Sequence, residues 1–291
     1  MNELNYPNVI LLGTQRSGTT LLTRMLSAHS QLFIQNEISV QHVFTQSEPD
    51  EIVKRCNEQI EKRHGVTISE LLKNESKTLW GFKDPQLTEH LSALEPFLKT
   101  TKFITIIRDA RGVVNSYIDN KWGLGTTAYT GAIRWRNEVL AQESFMKKAQ
   151  TQCLYIRYED LVSEQEQTLR KVCDHLEIPF ESSLIEYHKK KAQFKLNASN
   201  INTNKGATKH FSTRWKSELT SRQVSEIEYV TGGLLKKNGY KLMTSADKPH
   251  ILRRLYYHLH QSIVGEIQIQ FQLKRVAVKQ LLFKKSSTPN A

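Results

Sequence analysis

Residues 8–29 read NVILLGTQRSGTTLLTRMLSAH, and this stretch decides the fold. An apolar run, Val9–Leu12, stops at Gly13. A glycine-bounded loop follows: Gly13, Thr14, Gln15, Arg16, Ser17, Gly18, Thr19, Thr20. Leu21, Leu22, Met25 and Leu26 then recur at helical spacing. Strand, glycine-rich loop and helix in that order form an anion cradle, because backbone N–H groups and the positive end of the helix dipole converge on one point.

The spacing is close to that of an ATP-binding loop, G-x-x-x-x-G-K-[ST]. Thr19 stands where the loop lysine would be, and Arg16 is the only strong cation of the loop. A lysine at that place reaches the outer phosphates of a triphosphate, and its replacement argues against ATP hydrolysis. The loop suits a less charged group such as a phosphosulfate.

The segment resembles the 5′-phosphosulfate loop of the sulfotransferases that use 3′-phosphoadenosine-5′-phosphosulfate (PAPS), above all the tyrosylprotein and carbohydrate branches with their R-S-G-T-T core. The resemblance implies a P-loop-like three-layer α/β fold, with a central, mostly parallel sheet flanked by helices. It also implies PAPS as donor, 3′,5′-ADP as product, and no metal.

Composition sets wide bounds. A chain of 291 residues with 38% hydrophobic residues can form one large α/β domain with a small appendage. No run reaches the ~20 apolar residues of a membrane span. The N-terminus, MNELNYPNVILLG, lacks the basic region and cleavage site of a signal peptide, so a soluble, cytoplasmic protein is expected, with the lumenal part of an anchored enzyme as the alternative. Cys56, Cys153 and Cys173 form no C-x-x-C, and the ten histidines show no metal-binding spacing. The net charge is +12, but from Lys248 to Ala291 eight Lys/Arg face one acid, Glu266, so that segment carries +7. A polyanionic donor explains a modest basic excess around its pocket; it does not explain the tail. The expected division is a catalytic domain over 1–245 and a basic C-terminal extension over 246–291.

Strand and helix patterns alternate. Strands are expected at Thr78–Phe82, Lys102–Ile107 and Cys153–Tyr158. Helices are expected near 50–62, 67–74, 87–98, 113–118, 132–148, 164–176 and 223–240. Such alternation implies a parallel sheet, and ligands of such sheets lie beyond the carboxyl ends of the strands. Gly13, Lys83, Arg108 and Tyr158 all fall at those ends, as a single site requires. Residues 195–216 read as a long polar loop. In the tail, Ile267, Ile269, Phe271 and Leu273 alternate like a strand, whereas Leu252, Leu255, Leu259 and Ile263 are spaced like a helix.

Further motifs carry the resemblance. RDARGVVNSY, with Arg108 and Ser116, is similar to the family's 3′-phosphate motif, and an arginine fork suits a terminal phosphate. Where the tyrosine-sulfating branch has a further arginine, this chain has Asn120. Tyr158-Glu159-Asp160-Leu161 resembles the Y-E-D-L/M element, whose tyrosine lies beside the adenine; core packing is the equal alternative. Lys205, Gly206, Thr213 and Trp215 loosely resemble the loop that closes over the nucleotide.

The stretch from Gln15 to Glu37 aligns without a gap to the tyrosylprotein branch, in which this glutamate is the base. Its alternative reading is a solvated residue before a helix. His29 and His42 are its rivals as base. Lys83, in K-D-P, matches the cation that stabilises the leaving phosphate, a duty Arg16 would share.

The acceptor expected from these readings is a hydroxyl of a glycan or small secondary metabolite, with a protein tyrosine as the alternative. No nucleic-acid partner is expected of the enzyme, while the basic tail offers a contact to a membrane surface or a protein. A nucleotide kinase or NTPase, and a non-enzymatic binder of nucleic acid or membrane, are the rival functions.

Overall fold

The computed structural model describes residues 5–45, 48–149, 152–190, 194 and 201–286. In chain order, β1 (Val9–Leu12), α1 (Thr19–Leu26), β2 (Leu32–Asn36), α2 (Val40–Val43), α3 (Pro49–His64), α4 (Ile68–Asn74) and β3 (Leu79–Lys83) come first. Next are α5 (Leu91–Leu94), β4 (Lys102–Ile107), α6 (Ala110–Asn120), α7 (Ala128–Ala149), β5 (Cys153–Arg157), α8 (Tyr158–Ser163) and α9 (Gln165–Leu176). The short α10 (His210–Thr213) and α11 (Trp215–Glu218) precede α12 (Ser221–Lys237) and α13 (Ile251–Ser286). The chain divides into two compact units, residues 1–109 with 138–212, and residues 110–137 with 213–291.

The first unit holds the sheet, with strands in the order β2-β3-β1-β4-β5. All four pairings are parallel. β1, β2, β3 and β4 carry near-continuous buried runs, as strands covered on both faces require, while the edge strand β5 is only partly buried. One face packs Val9, Leu11, Ile104 and Ile106 against α1, α8 and α9 through Leu22, Leu161 and Leu169. The other packs Ile10, Leu12, Phe33 and Phe82 against α3, α4 and residues 145–146 of α7. Ile52, Val53, Cys56 and Ile60 form the buried stripe of α3; Ile52, Val53 and Ile60 each contribute ~1.5–3 kcal/mol of burial. The expected three-layer α/β fold is thus observed.

Two details fix the register that positions the site. Gly81 pairs with Val9, and a side chain there would overlap the Val9 carbonyl oxygen, so β1 and β3 sit close only because β3 has a glycine at that point. Asn36 pairs with Lys83, which places the residue after β2 beside the last residue of β3.

Some expectations are corrected. β2 was not foreseen, although its Leu32-Phe33-Ile34 run carries the apolar signal of a buried strand. Residues 87–98 form not one helix but α5 between two 3-10 turns, Leu87–His90 and Glu95–Lys99, the second with Pro96 at its start. Tyr158 opens α8 rather than closing β5. The 195–216 loop contains a 3-10 turn at Ile201–Asn204 as well as α10 and the start of α11; residues 195–200 lie outside the described residues.

In the second unit, α12 starts with a capping box: Thr220 accepts from the Gln223 N–H while the Gln223 side chain accepts from the Thr220 N–H. Buried Glu228 pairs with Arg111 at 2.6 Å and also accepts from the amides of Met243 and Thr244. This pins the chain after α12. The tail resolves as helix, not strand, throughout α13.

Candidate active site

Because every strand runs the same way, the carboxyl ends of β1, β2, β3, β4 and β5 form one rim of the first unit. Gly13, Glu37, Lys83, Arg108 and Tyr158 all sit on it, so the single-rim expectation holds.

The loop is built by close approach. A side chain at Gly13 would meet Ser17 Oγ at 2.7 Å and the Ile106 carbonyl oxygen at 2.8 Å. Gly18 takes φ of 102°, and a side chain there would collide with the Tyr158 ring. Ser17 closes the turn, with both its N–H (3.1 Å) and its hydroxyl (2.7 Å) donating to the Thr14 carbonyl. Arg16 is left-handed, with φ of 69°. The first turn of α1 has no side-chain cap, so the first amides of the helix have no intrahelical acceptor. Thr14 Oγ1 is buried without a hydrogen-bond partner. A cradle of open amides and an orphan hydroxyl, walled by positions that admit only glycine, fits a phosphosulfate. Thr19 is buried beside it, and its carbonyl accepts from Thr23 Oγ1 at 2.9 Å within α1.

Arg108 ties the loop to its surroundings. Its Nη1 donates to the Arg16 carbonyl at 2.9 Å and its Nη2 to the Phe211 carbonyl. Its guanidinium lies 4.5 Å from the centre of the Tyr158 ring. Its Nε is buried and unpartnered. Tyr158 is 6% exposed and packs within the core cluster on the α1 side of the sheet. Burial raises its hydroxyl pKa, against the opposing pull of the Arg108 charge.

On the β2–β3 side, Lys83 is 1% exposed. Its Nζ donates to Glu37 Oε1 and to Thr20 Oγ1, both at 3.3 Å. The Glu37 side chain is 47% exposed, so the pair links a buried cation to a carboxylate open to solvent. Burial lowers the Lys83 pKa, opposed by Glu37 and Asp84. Glu37 directly follows β2 and lies three residues ahead of α2. It sits at φ of 56°, its N–H donates to the Lys83 carbonyl at 2.7 Å, and Arg63 Nη1 donates to the Glu37 carbonyl at 2.7 Å and to the Asn36 carbonyl at 2.8 Å. Asp84 is buried beside this pair, and desolvation raises its pKa to about 6.

His29 is not on this rim. Its Nε2 is 2.8 Å from the Pro179 carbonyl and its Nδ1 accepts from the Gln31 N–H at 3.0 Å, just ahead of β2. It packs at the amino-terminal end of β2, the end of that strand away from the rim. His42 lies in α2 and is exposed.

Lys205 and Gly206 belong to the first unit; Tyr187 OH donates to the Lys205 carbonyl at 2.7 Å, and Gly206 faces His188. Ser116, Thr213 and Trp215 belong to the second. There Trp215 is buried beneath the Arg111 guanidinium, 4.2 Å from the ring centre. Among the described residues, no group of three or more His, Cys, Asp or Glu is arranged to hold a metal ion.

Sequence reasoning missed Arg63 and Asp84. Asp84 lay in view inside K-D-P. Arg63 carries no local signal, since it reaches Glu37 across 26 residues of chain.

Comparison with known proteins agrees with this geometry. Protein-tyrosine sulfotransferase 1 of Danio rerio is 24% identical over 207 residues, covering 62% of this chain and 56% of its own length. The chain spans between 40 and 70% of the length of the protein-tyrosine sulfotransferases it matches. Among solved structures, the sulfotransferase domain of the Synechococcus PCC 7002 olefin synthase superposes with a TM-score of 0.62 at 18% identity, covering 84% of this chain and 98% of that one. Mouse sulfotransferase SULT7A1, solved with PAP, gives 0.52 at 13% identity, covering 79% and 84%. These two share the fold. The model of the sulfotransferase family matches residues 7–182, more than half of the sequence, and the chain accordingly belongs to the sulfotransferase family.

Proposed function

We propose that this chain moves the sulfuryl group of PAPS to an acceptor hydroxyl and releases 3′,5′-ADP. The observation that carries the reading is the Lys83 ammonium, 3.3 Å from both the Thr20 hydroxyl of the loop and the Glu37 carboxylate. One buried cation thereby joins the donor cradle to a base.

In this reading Gly13, Thr14, Gln15, Arg16, Ser17, Gly18, Thr19 and Thr20 hold the 5′-phosphosulfate. Glu37 takes the proton of the acceptor hydroxyl as its oxygen attacks sulfur in line. Lys83 and Arg16 stabilise the charge that builds on the bridging oxygen as the old S–O bond breaks. Arg108 meets the 3′-phosphate. The resemblance gives Ser116 a share in that contact, sets Tyr158 beside the adenine, and gives Lys205, Gly206, Thr213 and Trp215 to the segment that covers the nucleotide. Residues 1–245 supply all of these groups, which leaves the 246–291 extension to serve contact rather than catalysis. The free state of the three cysteines suits the reducing cytoplasm.

For the acceptor, the naming of the curated relatives favours a protein tyrosine. The second reading is a glycan or small-metabolite hydroxyl. It is supported by the charge distribution: an acidic peptide calls for a basic cleft, whereas residues 1–247 carry only +5.

The test is transfer of labelled sulfuryl from PAPS to tyrosine peptides, glycans and phenolic metabolites, with Glu37→Gln as control. Donor-dependent labelling of one class, lost in the variant, supports the reading. Mg²⁺-dependent ATP turnover without any labelling would replace it with the kinase.

A further inference from the structure

The helix α13 has two faces of different character. One packs within the second unit. Tyr257 OH donates to Glu226 Oε1 at 2.8 Å, and the Gln261 side chain accepts from the Thr126 N–H at 2.8 Å and donates to the Gly123 carbonyl at 2.7 Å. Two turns further on, the Gln268 side chain accepts from the Gly123 N–H at 3.1 Å. Gly123 itself has φ of 72° and lies so close to Gly265 that a side chain would meet the Gly265 carbonyl oxygen at 2.6 Å. The helix is therefore seated along one side and fixed in rotation.

The opposite side is exposed and largely apolar, interrupted by the hydrogen-bonded pair Glu266 and Gln270. Leu252, Leu255, Leu259, Ile263, Ile267 and Phe271 recur at three- and four-residue steps, and each is between 52 and 69% exposed. Over these positions the stripe is ~28 Å long at 1.5 Å per residue. Isolated apolar residues on a surface call for no explanation, but a stripe of this size does.

Charge identifies the occupant. The segment from Lys248 onward carries eight Lys/Arg and the single acid Glu266. Arg253, Lys274 and Arg275 are among its exposed residues. A second copy docking face to face would bring two such excesses together. An anionic lipid surface complements both properties at once: headgroups meet the basic side chains and the acyl boundary receives the apolar stripe. No helix among the described residues is long and apolar enough to cross a membrane, so α13 would lie in the interface plane and not span it.

We infer that the outward face of α13 docks this protein on an anionic membrane surface. The inference is independent of the sulfuryl-transfer reading, since α13 contributes none of the proposed donor or acceptor residues.

The experiment is co-sedimentation of the full chain with phosphatidylcholine vesicles, alone or with about one-quarter phosphatidylserine, at low salt and at ~0.5 M salt. The wild type should bind the anionic vesicles roughly tenfold or more tightly than the neutral ones, and salt should weaken that binding. The exposed triple variant Leu259→Glu, Ile263→Glu, Ile267→Glu should abolish it. Lys274→Glu with Arg275→Glu should reduce it at least roughly tenfold, from two reversed charges. Both variants should keep the wild-type Tm, which shows that α13 is still seated. Failure of the wild type to partition onto anionic vesicles would overturn the inference. So would undiminished binding by the triple variant, or a dimer in solution that the triple substitution dissociates, which would assign the face to a second copy.

Discussion

The two halves of the active-site rim are built by different means. The donor half, Gly13–Thr20, is assembled by contiguous chain: a strand, two glycines that admit close approach, and an uncapped helix start. The half we propose for the acceptor, Glu37 and Lys83, is assembled by the pairing of β2 with β3, from residues 46 apart in sequence. The first is mostly backbone and pre-formed. The second is a side-chain pair whose geometry depends on strand register and on Arg63 holding the carbonyls of Asn36 and Glu37. The contrast implies that donor binding and chemistry can be separated by mutation.

The sharpest separation is Glu37→Gln. Turnover should fall ~10²–10⁴-fold with 3′,5′-ADP affinity unchanged, as removal of a general base alone requires; steady-state kinetics beside calorimetry checks both. Lys83→Met should cost ~10²–10³-fold in kcat. It touches Thr20 as well as Glu37, so a modest loss of donor affinity should accompany the loss of rate, read from the same two measurements. On the donor side, Arg108→Ala should weaken 3′,5′-ADP binding by roughly 10–100-fold, the worth of hydrogen bonds to a charged partner.

Smaller effects probe the scaffold. Gly18→Ala forces a side chain against the Tyr158 ring at φ of 102°, and should cost ~1–3 kcal/mol of stability in denaturant unfolding. Asp84 gives a pH signature. Its folded pKa is raised from 3.8 to about 6, so the folded state holds this proton more tightly than the unfolded one. The resulting stabilisation is present below about pH 4 and is lost as pH rises through about 6. Asp84→Asn should therefore be stabilised relative to wild type by about 3 kcal/mol at pH 7, and the difference should vanish near pH 4. A constant difference across that range would show that Asp84 is not desolvated as described.

Legibility followed the same division. The cradle could be read because its residues adjoin one another and because each glycine marks a close approach. The rim could be read because strand ends in a parallel sheet share one edge, which grouped Lys83, Arg108 and Tyr158 with Gly13. Glu37 was reached through the resemblance of the Gln15–Glu37 stretch to the tyrosylprotein branch, but its strand, its left-handed backbone and its Arg63 support were not, since they depend on pairing and contacts with distant chain. In the tail, the strand-like alternation of Ile267–Leu273 competed with the helical spacing of Leu252–Ile263. Packing decided it, because Gln261, Gly265 and Gln268 share the side that meets Gly123. The 87–98 pattern was helical in apolar spacing, but with Pro96 at the start of its last turn it settled as short turns.

The central claim is that the rim binds a sulfuryl donor through the Gly13–Thr20 loop and Arg108. Calorimetric titration of the full chain with 3′,5′-ADP, in parallel with ATP–Mg²⁺, tests it most directly. The account predicts saturable binding of 3′,5′-ADP, weakened in Arg108→Ala and retained in Glu37→Gln, with little binding of ATP–Mg²⁺. Folded protein that ignores 3′,5′-ADP, or that prefers ATP–Mg²⁺, would contradict it.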